Sequence, residues 1–439
     1  MASKPAPIAA AVAIAFADSS IVVLALPELY GRFHTSITGV SWVVTAYNAA
    51  VAVTALALVL LAHRVDAGAL FAAGLSVFLA ASIGCALAQG LAFLIAARTV
   101  QGVGAALLLA GSLPVLGAKR WTLVGAFGLA VGPALGGVLT QAFDWRAIFA
   151  AQAPVAALGL LGAARRRPDA AVEEGPRPSL ARTLPANACL GLLFGALVGA
   201  LFLGVLLVIS VWSYSPIGGA LVVSSLPAAA LAARPLGTRL PGVVAVCGGA
   251  ALVGGGLVGL ALLPSASVAL LVCALALCGA GLGLAVPVLS NAALDPDVGL
   301  SRSATFTVGA RHAGLVLALA VIAPLLASKV PAAGDRALLR GTAVLLDAPV
   351  GLDKKIPVAL DLRGAFARAR AGETPDLGEP FNAHGARHDS ALAAARDRLV
   401  GAIESTITRA SRSAFFVCAA FAALALLLAF VFRRRLETL

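Results

Sequence analysis

The sequence predicts an all-α polytopic membrane protein, with twelve transmembrane helices arranged as two six-helix bundles. Three observations lead there: the composition, the spacing of apolar runs, and the placement of lysine and arginine between them. Of 439 residues, 60% are hydrophobic and 12% charged, with a mean hydropathy of +0.98. A soluble domain carries roughly 25% charged residues, so half that share implies a surface that mostly meets lipid.

A helix crossing the hydrocarbon needs about 20 predominantly apolar residues, because lipid offers no partner to a free backbone N–H or C=O. Spans 1 to 6 are expected at residues 7–30, 37–62, 67–88, 91–116, 122–141 and 147–164. Spans 7 to 12 are expected at 188–209, 216–233, 241–263, 268–290, 304–328 and 414–432. The first run lacks a small-residue cleavage site and is long enough to remain as a span.

Orientation follows from the basic residues of the short loops. With the N-terminus inside, fifteen of them, from Lys4 to Arg435, fall on the cytoplasmic side, and only Arg32 and Arg146 fall in the short outer loops. Both termini are therefore expected in the cytoplasm of a prokaryote-like plasma (inner) membrane. The net charge of +12 is read as membrane topology rather than as affinity for nucleic acid.

Residues 165–187, rich in proline and charge, divide six spans from six and read as a linker between bundles. The expected organisation is an N-terminal bundle (1–164), the linker, spans 7–11 (188–328), an extracytoplasmic insert (329–411), and span 12 with a tail (412–439). The insert mixes twelve basic with ten acidic residues, and its end reads as an amphipathic helix leading into span 12. Its apolar content is modest for an independent domain. It is also where a partner is expected, if there is one. The six cysteines all sit in apolar runs, which suggests small buried thiols between helices.

Five stretches of the N-terminal half carry a resemblance: FADSSIVVLALPEL in span 1, SWVVTAYNAAVAV in span 2, RTVQGVGAALLLAGSLPVL in span 4, GLAVGPALGG in span 5 and DWRAIFAAQAP entering span 6. In this order they resemble the major facilitator superfamily, specifically its drug:proton antiporter branch, which usually has fourteen spans. YSPIGGALVVSSLPAAALAARPL and GAGLGLAVPVLSNAAL match more loosely. The resemblance implies export of a small molecule in exchange for protons. It also implies a signature after span 2 that latches the cytoplasmic gate. Here that loop is VLLAHRVDAG, with His63 where an Asp is expected, Arg64 beside it, and Val59 and Asp66 where glycines are expected. The gate is thus expected to be degenerate.

Asp18 falls near the middle of span 1. A bare carboxylate there costs about 2.5–3.5 kcal/mol on insertion scales, so it must pair, neutralise or face water. Two readings stand: a proton-coupling site, or a structural carboxyl that caps Ser19, Ser20 or a carbonyl at a helix bend. Arg98, about 10 Å from the end of span 4 at 1.5 Å per residue, lies at a depth from which it reaches Asp18. It serves either to expel the proton when substrate arrives or to hold two spans together. Gln101 shares its face.

Gly128, Gly132, Gly136 and Gly137, at close-packing spacing, with Pro133 removing one helix hydrogen bond, predict a tight and bendable span 5. Trp42 reads as an interfacial anchor, while Tyr47 and Asn48 fit either a cavity wall or core hydrogen bonding. Arg311 and His312 form a buried cationic pair in span 11 without an obvious carboxylate, suited to an anionic or zwitterionic group or to backbone carbonyls. Asp295 and Asp297 read as helix caps or partners of Arg302. His384 and His388, with only Asp389 beside them, are a poor metal set, and no metal or cofactor is expected. The chain carries no Walker loop, nucleophile elbow or dinucleotide fingerprint, so no catalytic role is expected. The expected function is secondary transport of an apolar or amphipathic molecule. Its rivals are a lipid or lipid-precursor exporter, and a transporter-like receptor acting through the insert.

Overall fold

The computed structural model describes residues 6–61, 66–164, 180–294, 300–368, 378–386 and 388–437, and every regular element among them is helical. Twelve of the helices are long and apolar enough to cross a membrane. Spans 1 to 6 and spans 7 to 12 form two bundles, in contact chiefly through spans 2 and 11 and through spans 5 and 8. Chain alternation puts residue 164 and residue 180 on one face of the protein, here the linker face. The described residues of 331–411 lie on the other, the insert face.

Prolines decide where the spans bend. Span 1 (Ala6–Phe33) narrows to a 3-10 turn at Val22–Ala25. Pro27 has no N–H for the Val23 carbonyl, and the Leu26 N–H takes that oxygen instead. Span 8 (Pro216–Gly237) breaks at Ser224, three residues before Pro227. There Ser225 Oγ donates to Val222 O at 2.7 Å. Span 7 (Arg182–Val211) ends in a π-helical turn, Leu206–Val211, closed by the Trp212 N–H to Leu207 O at 2.8 Å. Span 4 (Leu91–Leu116) and span 5 (Ala118–Ala142) are joined by Gly117 alone, whose φ of 75° is one that side chains avoid.

Span 5 packs on span 1 through its glycines. A Cβ on Gly128 would collide with the Ala13 carbonyl, on Gly132 with Ser20 Oγ, and on Gly136 with the Ile21 carbonyl. Ser20 Oγ lies 2.8 Å from Ala17 O and 3.4 Å from Leu129 O, the carbonyl that Pro133 leaves without its helix partner. Gly137 points the other way, onto Pro216 and Ala220 of span 8. The span therefore fastens one bundle internally and meets the second bundle at the insert face, where the Ile217 N–H donates to Gln141 Oε1 at 2.9 Å.

The helix carrying span 11 does not stop near residue 328 but runs on from Leu300 to Asp347. Its extension is sustained by the antiparallel helix Ser390–Ala410; packing of an amphipathic face, rather than propensity, holds it. Leu345, Val358, Leu362, Phe381, Leu392 and Leu399 form part of a separate small core there, so the insert buries more than its composition suggests. Asp389 caps the second helix, accepting from the Ala391 and Leu392 N–H groups at 3.0 and 3.1 Å and from Lys354 Nζ at 2.6 Å. The Lys354 hydrogen bond holds this carboxyl below its ordinary range. Trp212 Nε1 donates to Thr408 Oγ1 at 3.1 Å, and Arg412 Nε to Ala261 O at 2.9 Å, seating the insert on the second bundle. His384 Nε2 is 2.8 Å from Asp361 Oδ2. Not every cysteine is a packed thiol: Cys273 is exposed on span 10, whereas Cys247 is half-buried against the core.

Gly128→Ala should lower stability by about 1–3 kcal/mol, the usual cost of overpacking, because the added methyl meets backbone that cannot rotate away. Gly248→Ala, where nothing lies within 4 Å, should be neutral. Thermal unfolding of both variants in nanodiscs checks the pair.

Candidate functional site

Asp18 and Arg98 meet. Arg98 Nη1 donates to Asp18 Oδ2 at 2.6 Å, and both side chains have no solvent exposure. Arg98 Nη1 also donates to Gln101 Oε1 at 2.6 Å, and Nε to the Val43 carbonyl at 3.0 Å. Its guanidinium lies over the Tyr47 ring, 4.2 Å from the centroid, and nearer the edge of contact with Phe149 at 5.5 Å. Aromatic faces of this kind stabilise a desolvated cation. One nitrogen, Nη2, is buried with no acceptor among the described residues.

The network closes into a ring. Gln101 Nε2 donates to Gln152 Oε1 at 2.6 Å and to Ser82 Oγ at 2.9 Å. Gln152 Nε2 donates to Asp18 Oδ1 at 2.7 Å. Asp18 is thus the acceptor at both ends of a chain running Arg98, Gln101, Gln152. Ser82 passes its own proton to Phe78 O at 2.7 Å. Spans 1, 3, 4 and 6 each contribute a side chain, and span 2 a carbonyl.

Gln152 and Ser82 were not singled out by the sequence reading. The signal was present for Gln152, an amide inside the apolar stretch FAAQAP, of the same kind that marked Gln101. Ser82 gives no such signal, because a serine satisfies itself on its own helix in most spans.

Tyr47 and Asn48 resolve to core hydrogen bonding. Tyr47 Oη donates to Ala15 O at 3.1 Å. Asn48 Nδ2 donates to Val44 O at 2.8 Å, while its Oδ1 accepts from Ser19 Oγ at 2.9 Å. Neither faces the cavity described next. Trp42 is half exposed, as an interfacial anchor requires.

Between the bundles lies a cavity holding about 1410 Å³ of open space, its mouth included. Ser19 and Ser20 of span 1 form part of its wall, directly beside the sealed Asp18. Spans 5 and 8 touch chiefly through Pro216–Val223 at the insert face and less beyond it, and Trp121 and Arg234 line the cavity nearer the linker face. Spans 2 and 11 stay closed there: Arg302 Nη2 donates to Val59 O at 3.3 Å, and Gly309 packs on Leu56.

Arg311 and His312 both line this cavity. Arg311 Nη2 donates to Ser290 Oγ at 2.7 Å and its guanidinium sits 4.8 Å from the Phe194 centroid. His312 Nδ1 lies 2.8 Å from Val308 O. They are far from the Asp18 ring in role: one cluster is sealed, the other faces open space. Of the loop after span 2, Asp66 caps span 3 by accepting from the Ala69 N–H at 2.7 Å. His63, Arg64, Asp295 and Asp297 lie outside the described residues.

Removing one member of a buried ion pair leaves an uncompensated charge and costs about 3–5 kcal/mol. Arg98→Gln should therefore destabilise the protein strongly, and Asp18→Asn/Arg98→Gln should cost less than the sum of the single changes. A double-mutant cycle of unfolding in nanodiscs reads this coupling.

The description Major Facilitator Superfamily matches residues 8–310. The uncharacterized MFS-type transporter Rv1250 of Mycobacterium tuberculosis is 38% identical over 158 residues, 34% of this chain and 27% of its own length. The drug efflux pump JefA of the same species is 33% identical over 155 residues, 33% of this chain and 30% of its own. The chain thus spans about a third of the length of the curated relatives it matches. A bacterial homolog of the human lysosomal transporter Spinster, solved in an inward-facing and occupied conformation, shares the fold at a TM-score of 0.63. It is 16% identical, over 98% of both chains. A family match across most of the sequence, and a fold shared almost end to end with that protein, lead to one assignment: the chain belongs to the Major Facilitator Superfamily.

Proposed function

We propose that this protein is a secondary active transporter that exports an apolar or amphipathic small molecule in exchange for protons. The observation that carries the reading is the Asp18 ring: a carboxylate closed off from solvent, one residue from the wall of a cavity between two bundles. Residues 1–164 form one rocking half and residues 188–328 with 412–439 the other, joined by 165–187. The linker face is cytoplasmic in this reading, so the cavity opens inward. JefA, called a drug efflux pump, lends support from a relative.

The ring explains how a proton would be coupled to movement. Asp18 accepts from Arg98 and from Gln152. A proton loaded on Oδ1 faces the Gln152 donor and finds an acceptor there only if that amide turns, which breaks its bond from Gln101. Protonation therefore opens the ring and removes the charge pair that ties span 1 to span 4. A ligand that binds one arrangement better than the other then shifts the balance between them. Because Asp18 is sealed in this arrangement, proton exchange belongs to another state of the cycle.

Span 5 suits the same motion. Gly128, Gly132 and Gly136 keep it on span 1, while Gly137 and Gln141 hold it to span 8 only at the insert face. Rocking about that contact would open and close the cavity.

Dye efflux from proteoliposomes under an imposed pH gradient tests the proposal. Wild-type protein should show gradient-dependent efflux and Asp18→Asn should lose it, with Asp18→Asn/Arg98→Gln, which leaves no uncompensated buried charge, as the variant that separates coupling from folding. Efflux that responds to the gradient equally in wild type and in either variant would remove Asp18 from the coupling mechanism.

A further inference from the structure

The cavity has a chemical bias that the Asp18 ring does not explain. Its wall is almost wholly apolar, and no aspartate or glutamate lies among the described residues that line it. Its charged members are Arg311, in the wall of span 11, and Arg234, near the mouth at the end of span 8. Arg98, also buried within the spans, has Asp18 beside it. Arg311 has only a serine hydroxyl and an aromatic face, and its Nε is buried without an acceptor among the described residues.

An unpaired guanidinium within a bilayer is expensive. Here it faces a space large enough for a ligand, and it has donors to spare. A guanidinium presents a planar fork that matches carboxylate, sulfate and phosphate oxygens. The rest of the cavity, built from Leu, Val, Ala, Phe and Trp side chains, matches an apolar body. The looser contact of spans 5 and 8 beyond the insert face lets such a body enter past Trp121 and Arg234.

We infer that the cavity binds an anionic amphiphile, with its acidic head on Arg311 and its apolar body along spans 5, 7, 8 and 10. This deepens the transport reading by naming the charge class of the substrate. The binding half of the inference stands independently of proton coupling. Cationic amphiphiles are disfavoured, since the wall places two positive charges in their path and its described residues offer no carboxylate.

Bromine quenches tryptophan only at short range, and Trp121 lies in the cavity wall. The test measures quenching by bromododecanoate, bromododecanol and bromododecylamine, using full-length protein in nanodiscs of zwitterionic phospholipid. The acid should bind about tenfold or more tightly than the alcohol, equivalent to about 1.4 kcal/mol, and the amine most weakly. Arg311→Gln should bring acid and alcohol within about twofold of each other, a difference below the strength of one charge-assisted bond. Arg311→Lys should keep a preference for the acid. Trp121→Phe should remove the saturable part of the quenching. Equal binding of acid and alcohol would overturn the inference, as would an acid preference that survives Arg311→Gln, or saturable quenching that survives Trp121→Phe. Asp18→Asn serves as the second reference. If it keeps the acid preference while gradient-driven efflux fails in wild type, the transport reading fails alone. If efflux is intact but the acid preference is absent, this inference fails alone.

Discussion

The N-terminal bundle is organised around one buried ion pair. A carboxylate and a guanidinium without solvent exposure are each costly in a medium of low dielectric, and mutual attraction offsets that cost only when the remaining polar atoms are also served. Asp18 uses both oxygens, and Arg98 places all but one of its nitrogens against an acceptor. The amides of Gln101 and Gln152 close the circuit. Four spans therefore have a fixed rotation about their axes, because turning any one of them would strand a polar group in lipid.

Among the described residues the second bundle has no equivalent knot. Arg311 answers to Ser290 and Phe194 rather than to a carboxylate, and it looks into the cavity instead of away from it. One half carries a cation paired with a carboxylate, and the other a cation without one among the described residues. The two halves are thus unlike in chemistry although alike in helix count.

Small residues and prolines handle the geometry. Span 5 approaches span 1 so closely that three of its glycines have no room for a methyl group. Pro133 frees a carbonyl that lies near Ser20, on the helix it is packed against. At span 1 the same problem is solved locally, by the Leu26 N–H on the Val23 carbonyl. Backbone irregularity inside a membrane is thus kept where a neighbour or a tighter turn satisfies it.

How much of this was legible varies by feature, for physical reasons. Span number and approximate bounds follow from hydropathy, since lipid demands long apolar helices whatever their neighbours. Asp18, Arg98 and Gln101 were visible because polar groups inside apolar runs are few. Gly128, Gly132 and Gly136 were visible because close packing repeats at four residues. The run of span 11 to Asp347 was not readable, because its outer half is held by contacts with a helix some sixty residues later in the chain. Tyr47 and Asn48 could not be placed by type alone: each fits a cavity or a core, and only the rotation of span 2 turns them inward. The ring through Gln152 and Ser82 likewise depends on the relative rotation of four helices. Sequence by itself determined which polar groups had to be buried, because their cost in lipid is a property of each residue. Tertiary structure decided which of them would meet, leaving Arg98 paired and Arg311 facing open space, because pairing depends on how whole helices turn against one another.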